Sequence, residues 1–309
     1  MTLNLWHTPT RLEERIDAVV AEIEARDPDA VAFQEVAPYL RDGAKFDPAV
    51  DTVRTVAEVI AERTGMHLAG QSPLVLRGVG GEYSCLATLT REPAEDVALS
   101  ILPGHGAGAS PDPGLLVSTR TRGGRTLVVA NVHAAWGGRH EGTRTRQLMA
   151  LDALCTGFEP VTRPGTITVL CGDLNTVPGS DTYRYLTGLS AFALTDADAD
   201  THPALTPGLH GTFWVDAWTH TAPAGADGTT NGGDNPWAAN TAAQVGLHGA
   251  QPPRRIDYIL VRDWVFGRPG HPLAARRAFT CRDVDTSSPH TIAASDHWGV
   301  EVDVADPRT

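Results

Sequence analysis

A recurring arrangement of short apolar runs constrains the fold of this 309-residue chain more than any other feature. Each run is typical of a buried strand and ends in a polar or ionisable side chain. The clearest case is 168–180, TVLCGDLNTVPGS, where Gly172 follows the strand and Asp173 and Asn175 come next. Alternate residues of an extended segment share a face, so this carboxylate and this amide can point the same way. Alone, the segment fits a phosphate site and an Asx-rich turn equally well.

The same pattern recurs along the chain, at Asn4, Glu35, His133, Asp257 and the pair Asp296-His297. Strand ends that share one sheet edge can bring such groups into one cleft. Singly, Glu35 also fits a surface residue and His133 a hydrogen-bonded core histidine. Asp257 lies inside an apolar strand and needs a partner, because burying an unpaired charge costs several kcal/mol. Asp296-His297 supplies one, and an Asp–His pair orients an imidazole as a general base.

Hydrophobic periodicity predicts one layered α/β domain, residues 1–309, with helices covering the sheet faces. Helices are expected at 11–24, 50–64, 141–154 and 181–186. Strands are expected at 3–6, 30–33, 82–90, 97–102, 115–121, 125–132, 168–171, 255–262 and 298–304. The strands at 82–90 and 97–102 are expected to pair, and those at 115–121 and 125–132 to form a hairpin. The polar stretch 219–253 is expected to be a disordered segment or a functional loop.

Composition excludes several classes. The formal net charge is −12, Lys45 is the single lysine and no basic tract occurs, which disfavours non-specific nucleic-acid binding. The four cysteines form no CxxC pair, so neither a zinc site nor a disulfide framework is indicated. No apolar run reaches the length of a membrane span, and no secretory signal is visible. We therefore expect a cytoplasmic protein with no obligate protein partner.

Hard oxygen donors dominate the collected polar positions, namely Glu35, Asp173, Asp296, Asn4 and Asn175. Such a set suits Mg²⁺ or Mn²⁺ and not zinc. A hard cation on a phosphoryl oxygen neutralises developing charge and can orient a water for in-line attack. In this interpretation His297 deprotonates the water, and His133 stabilises the transition-state charge or assists the leaving oxygen.

Taken in order, these motifs resemble those of the endonuclease/exonuclease/phosphatase superfamily, which has the metal-dependent DNase-I-like fold. The matching positions are Asn4, Gln34-Glu35, Asn131-Val132-His133, GDLN at 172–175, RIDY at 255–258 and SDH at 295–297. The resemblance spans essentially the whole chain. It implies a four-layered α/β (α+β) sandwich, in which two mixed β-sheets pack face to face with helices on the outside.

The resemblance also implies roles for these residues. The metal site is expected to comprise Glu35, Asn4 and Asp296. The catalytic groups are expected to be Asp173, which orients or activates the water, Asn175 and His133, which contact the phosphate, and the base dyad Asp257–His297. His133 stands where the abasic-site endonuclease branch has tyrosine, which argues against an abasic-site repair enzyme.

The substrate is less constrained, because one fold serves many phosphate esters. Asn235 and Trp237 lie in a segment similar to one that shapes the substrate pocket in many bacterial members, so both are expected to bind substrate. Trp237 either stacks on a ring, lies against an apolar group or anchors its loop. Of three nearby arginines, Arg139, Arg144 and Arg146, one is expected to hold a phosphate and two to be solvated at a helix start.

Three hypotheses remain open at this stage. The first is a Mg²⁺-dependent (or Mn²⁺-dependent) phosphoesterase acting on a small or lipid-linked phosphate ester, which the acidic balance favours. The second is a nuclease, which needs a basic groove assembled from arginines. The third is a non-catalytic binding module on the same fold, which is disfavoured because every position that the chemistry needs holds a competent residue type.

Overall fold

The computed structural model describes residues 1–40, 53–77, 82–104, 112–137, 140–189, 213–223, 225–226, 228–237, 252–262, 269–280, 283–284 and 291–306. The helices are α1 (Leu12–Arg26), α2 (Val56–Thr64), α3 (Glu141–Gly157), α4 (Glu159–Thr162), α5 (Asp181–Leu186) and α6 (Ala217–Thr221). The first eight strands are β1 (Thr2–Asn4), β2 (Ala30–Val36), β3 (His67–Gln71), β4 (Val75–Arg77), β5 (Glu82–Thr90), β6 (Asp96–Leu102), β7 (Asp112–Arg120) and β8 (Thr126–His133). The others are β9 (Ile167–Asp173), β10 (Trp214–Asp216), β11 (Asp257–Arg262), β12 (Pro272–Ala278), β13 (Asp283–Val284), β14 (Thr291–Ile292) and β15 (Gly299–Val304).

Two large mixed sheets form the frame. The first has the order β12-β15-β1-β2-β5-β3, with β4 also pairing with β5. The second has the order β10-β11-β9-β8-β7-β6. Within each sheet one central pair is parallel, β1 with β2 and β8 with β9. Parallel neighbours end at the same sheet edge, so polar residues that follow β2, β8 and β9 are delivered to matching strand ends.

The sheets pack face to face, and helices cover their outer faces. Ala32 and Val300 of the first sheet contact Val129 and Cys171 of the second in one buried cluster. Helices α1 and α2 pack on the first sheet through Ile16 and Ile60 and their neighbours. Helices α3 and α5 cover the second sheet in the same way. The expected four-layered sandwich is therefore confirmed.

Local sequence signals set several helix boundaries. Thr55 and Glu58 form a capping box at the start of α2, which ends at Gly65 with φ of 67°. The helix expected at 50–64 therefore begins at Val56, and residues 50–52 of that expectation lie outside the described ranges. Ser180 caps α5 by accepting a hydrogen bond from the Tyr183 amide, and α5 spans 181–186 as expected.

One predicted strand pairing is wrong. β5 pairs with β2, β3 and β4 in the first sheet, whereas β6 pairs with β7 in the second. The connection between them carries the chain across the sandwich, because the Arg91 amide bonds to Asp29 and the Glu95 amide to Ser118. A turn-rich linker after a strand can equally well cross between sheets or fold back. The expected hairpin of β7 and β8 is confirmed.

Within the described residues, Cys85, Cys155 and Cys171 are buried thiols. Burial raises the pKa of Cys171 to about 12, so this thiol stays protonated and acts as a small core residue. None of the helices in the described part of the chain is long and apolar enough to cross a membrane.

Candidate active site

Strand register brings three of the predicted residues side by side. His133 at the end of β8 is the parallel partner of Asp173 at the end of β9. Asp257 at the start of β11 is the antiparallel partner of the same Asp173. Three ionisable groups that are far apart in sequence thus occupy neighbouring strands at one edge of the second sheet.

The first sheet contributes Asn4 and Glu35 to the same place. Asn4 ends β1 beside Gln34 of β2, and Glu35 follows with a left-handed φ of 51°. The Asn4 Nδ2 group donates to Glu35 Oε1 and to Asp173 Oδ2, at 3.1 Å each. One amide therefore holds together two carboxylates from opposite sheets. A side-chain-bearing residue at positive φ is strained, and such residues concentrate at functional sites.

His133 completes this group. Its Nε2 atom lies 3.7 Å from Glu35 Oε1 and 3.6 Å from Asp173 Oδ2. Burial by itself would raise the pKa of Glu35, but the positive charge and hydrogen bond of His7, with His133 and Asn4, outweigh it and hold the pKa well below its usual range. Glu35 is consequently an ionised carboxylate whose side chain is only 17% exposed.

The predicted dyad is present. His297 Nδ1 lies 2.9 Å from Asp257 Oδ2, and its Nε2 lies 3.9 Å from Asp173 Oδ2. Burial would lower the pKa of His297, but the charges of Asp257 and Asp296 outweigh burial and hold it well above the usual value. Asn231 opposes protonation. Arg254 donates to Asn231 Oδ1 at 2.6 Å, so the Asn231 amide N–H group points at His297 Nε2, 3.1 Å away. A donor at Nε2 favours a neutral His297 ring that is protonated on Nδ1.

The surroundings of Asp173 favour a bound cation. Burial, followed by the neighbouring charge of Asp257, raises the pKa of Asp173 to about 7. The ligand atoms of Asp173, Asp257 and His297 lie within 4.8 Å of one another. In addition, the buried Asp257 Oδ1 has no hydrogen-bond partner among the described residues. Two buried carboxylates with an unsatisfied oxygen fit a bound divalent cation.

Two places near Asp173 can therefore accept a cation, one on the Asp257 side and one on the Glu35 side. Asp257 Oδ1 is open, but Asp257 Oδ2 already pairs with the imidazole of His297, which uses the charge of this carboxylate, so we favour the Glu35 side. Glu35 Oε1 and Asp173 Oδ2 instead converge on the single Asn4 amide. Among the predicted metal ligands, Asp296 is buried, lies close enough to His297 for its charge to raise the pKa of that ring, and accepts a hydrogen bond from Ser295 Oγ at 3.3 Å. Its role as a ligand stays a prediction.

Asn175 lies at the exit of β9 in a left-handed conformation, with φ of 50°. Its backbone amide donates to Asp173 Oδ1 at 2.9 Å, and its side-chain amide donates to the carbonyl of Ala134 at 3.0 Å. The Asx-rich turn that was one of the two interpretations of this segment is therefore present, and it orients the Asp173 carboxylate. Gly172 precedes it at φ of +132°, and a Cβ there would overlap the Val132 carbonyl oxygen.

The two predicted substrate-binding residues of the long loop are tied to the segment before Asp296. The Asn235 side chain donates to the Ser295 carbonyl at 3.0 Å and accepts from the Trp237 amide at 2.9 Å. Trp237 Nε1 donates to the Ala293 carbonyl at 2.9 Å, and its ring packs 5.3 Å from that of Trp6. Both residues thus have anchoring contacts, and substrate binding by either stays a prediction.

Arg144 already has acceptors for its guanidinium group, whereas Arg146 is exposed, and phosphate binding by Arg146 stays a prediction. Arg144 is buried and donates to the carbonyls of Ala135 and Gly137, at 2.8 and 2.7 Å, and to Glu141. It therefore braces the loop after β8. Arg146 lies on α3 and donates to Thr143 Oγ1 at 3.4 Å. Arg139, also predicted to bind substrate, lies outside the described residues.

Sequence reasoning missed three residues of the site, His7, Arg15 and Asn231. His7 Nδ1 lies 2.5 Å from Glu35 Oε2. The buried Arg15 donates to the carbonyl groups of Leu5, Trp6 at 2.7 Å, Thr8 at 2.9 Å and Ala294 at 2.9 Å. Burial lowers the pKa of Arg15 to about 10, so Arg15 remains a cation, close enough to Asp296 and Glu35 to interact with their charges. His7, the first residue after the strand expected at 3–6, offered the one available signal.

Comparison with known proteins agrees with this geometry. A profile of the Endonuclease/Exonuclease/phosphatase family matches residues 1–297. Among curated proteins, no sequence match reaches significance.

Several solved structures share the fold. An endonuclease/exonuclease/phosphatase family protein from Leptotrichia buccalis is 17% identical with a TM-score of 0.60, over 99% of this chain and 98% of that one. An endonuclease/exonuclease/phosphatase from Beutenbergia cavernae is 20% identical with a TM-score of 0.61, over 98% and 70%. D. rerio TDP2, complexed with a single-strand DNA product, is 15% identical with a TM-score of 0.59, over 97% and 96%. The chain belongs to the endonuclease/exonuclease/phosphatase family.

Proposed function

We propose that this protein hydrolyses a phosphate ester with the help of a bound Mg²⁺ or Mn²⁺ ion. The observation that carries the proposal is the meeting of Glu35 Oε1 and Asp173 Oδ2 on one Asn4 amide, beside the Asp257–His297 pair. Glu35 and Asp173, with Asp296 nearby, would hold the ion. When bound, such an ion would neutralise charge on a phosphoryl oxygen.

The chain's own residues supply the remaining chemistry. Asp173 orients the attacking water, and His297 accepts its proton while Asp257 steadies the Nδ1–H group. The water oxygen forms a bond to phosphorus as the ester P–O bond breaks. His133 and Asn175 donate hydrogen bonds to the phosphoryl oxygens. The leaving oxygen takes a proton from solvent water, and His297 returns the proton that it accepted to solvent. Positioning and charge stabilisation are the main demands of phosphoryl transfer.

A small or lipid-linked ester is our first choice of substrate. Several described arginines around the site already serve other groups. Arg144 holds backbone carbonyls, Arg255 pairs with Asp216 at 2.7 Å, and Arg15 holds the loop after β1. The chain also carries a net charge of −12. Neither feature favours a long polyanion, which requires a row of available cations.

Nucleic acid is the second candidate, because of Trp136. This residue is 54% exposed on the loop directly after His133. Arg144 and the Gln147 side chain, which accepts from the Ala135 amide at 2.8 Å, fix that loop. A fixed, exposed indole is the kind of surface on which a base stacks. The TDP2 relative was crystallised with single-strand DNA.

A substrate panel tests both candidates. We expect Mg²⁺- or Mn²⁺-dependent release of phosphate or alcohol from p-nitrophenyl phosphate, bis-p-nitrophenyl phosphate or phosphatidylcholine and sphingomyelin vesicles. Asp173→Asn should abolish it, whereas Asp303→Asn, an exposed control, should not. Turnover confined to single-stranded or plasmid DNA would make the nuclease correct. Silence on every substrate together with no measurable cation binding would contradict catalysis and support a binding module.

The dyad has its own test. His297→Ala should lower kcat by about 10²–10⁴-fold, the usual contribution of general acid–base catalysis, with an unchanged circular dichroism spectrum. His67→Ala, at an exposed histidine of β3, is the matched control. Wild-type turnover in His297→Ala would show that another group accepts the proton.

A further inference from the structure

The two oxygens of Glu35 have different surroundings. Oε1 faces the second sheet, where it accepts from Asn4 at 3.1 Å and lies 3.7 Å from His133 Nε2. Oε2 faces His7, which supplies its hydrogen-bond contacts among the described residues. The His7 backbone amide donates to Oε2 at 3.3 Å, and the His7 ring nitrogen Nδ1 lies 2.5 Å from the same oxygen.

The backbone at the end of β1 makes this double contact possible. Trp6 adopts a left-handed φ of 53°, and its amide donates to Asn4 Oδ1 at 2.9 Å. This turn bends the chain so that His7 approaches Glu35. Arg15 locks the bend, because it donates to the carbonyls of Trp6 and Thr8. His7 is therefore held by its backbone as well as by its ring.

The two His7 donors fix the position of Oε2, and the Asn4 amide on Oε1 then fixes the rotation of the carboxylate. With Oε2 engaged by His7, the lone pairs of Oε1 are the ones directed at Asp173 and His133. A ligand whose orientation is fixed before binding loses less entropy when the ion arrives.

We propose that His7 positions Glu35 for the divalent cation, so that Oε1 alone is presented to the ion. The inference rests on the proposed function, in that Glu35 is the metal-binding carboxylate. It assigns His7 as a positioning residue, which acts through Glu35 and does not contact the ion.

Cation affinity, measured apart from turnover, tests this role. Mn²⁺ binding is followed by titration calorimetry and by the loss of the free-ion paramagnetic resonance signal. His7→Ala should weaken Mn²⁺ binding about 10–100-fold, the usual effect of losing a hydrogen bond to a metal ligand. His7→Asn should restore most of the affinity, because its amide N–H can replace Nδ1–H. His67→Ala should bind as the wild type does.

Thermal unfolding in EDTA checks that each variant is folded. Equal Mn²⁺ affinity in His7→Ala and wild type would overturn the positioning role. So would a ¹⁴N coupling to bound Mn²⁺ in wild type that disappears in His7→Asn, because His7 would then be a ligand itself. If wild type binds no Mn²⁺, the proposed function fails, and this inference with it.

Discussion

At the scale of single residues, Asp173 is a buried carboxylate whose ionisation is unfavourable. It is 2% exposed, shares its strand edge with Asp257, and has a pKa of about 7 in the absence of a cation. The folded protein therefore binds a proton at pH values where the unfolded chain has released it. Ionising Asp173 lowers the stability of the fold unless a positive charge binds beside it. The buried, ionised carboxylate therefore weakens the fold and at the same time favours cation binding.

This yields a prediction for the pH dependence of stability in EDTA. Because the pKa of Asp173 is raised on folding, its contribution is fully present below about pH 4 and is lost as pH rises through about 7. The unfolding free energy of wild type minus that of Asp173→Asn should fall across this window by up to about 1.4 kcal/mol per pH unit. Urea denaturation at a series of pH values measures it. A difference that is flat or rises with pH would contradict the prediction.

Trp136 yields a second prediction at this scale. If its exposed ring stacks on a planar part of the substrate, Trp136→Ala should raise KM about tenfold with little change in kcat, since stacking is worth about 1–3 kcal/mol per base. Trp136→Phe should restore part of the loss. Phe213→Ala is the control. Phe213 is 51% exposed and precedes β10, where Trp214 pairs with Arg262, at the end of β11 opposite Asp257. An unchanged KM on every active substrate would exclude stacking.

At the scale of elements, the site depends on how β8 and β9 end. The parallel register that pairs His133 with Asp173 requires the chain at Gly172 to pass close against Val132. No other residue type fits there, because a Cβ would overlap backbone and φ is +132°. The glycine is therefore as much a part of the site as the carboxylate that follows it.

Gly172→Ala should accordingly destabilise the protein by about 3 kcal/mol or more and reduce Mn²⁺ affinity, because β9 must shift to relieve the overlap. Gly157→Ala is the matched control, since a Cβ at Gly157 meets nothing within 4 Å. Denaturant unfolding and calorimetry on both variants give the comparison. Equal stability of the two variants would show that the strand ends adjust freely.

Some of the elements that form the site were predictable from the sequence and others were not. The strand ends that carry Glu35, His133 and Asp173 were predictable, because apolar runs followed by polar residues mark them clearly. The route from β5 to β6 was not, since its linker fits a hairpin as well as a crossing between sheets. His7 and Asn231 act through contacts across the fold, which no local periodicity encodes. Arg15 has the spacing of an ordinary polar residue on α1.

At the scale of the whole molecule, the cation should stabilise the sandwich, because its proposed ligands belong to both sheets. Saturating Mg²⁺ or Mn²⁺ at about 100 times Kd should add about 2.7 kcal/mol to the unfolding free energy. EDTA should remove this gain, and Glu35→Gln should be insensitive to both. Glu62→Gln, at an exposed position of α2, should respond as wild type does. Differential scanning calorimetry measures the shift, and a full response in Glu35→Gln would place the ion elsewhere.

The buried polar bridge between the sheets has a further consequence. Gln34 of β2 donates to Asn131 Oδ1 of β8 at 2.7 Å, and Asn131 donates to the Phe33 and Ala87 carbonyls at 3.1 and 3.0 Å. These bonds form only after the two sheets have docked in register, one residue away from Glu35. During refolding, binding competence should therefore appear late, after the β7–β8 hairpin has formed. A chain that assembles its halves out of register would remain compact but unable to capture the ion.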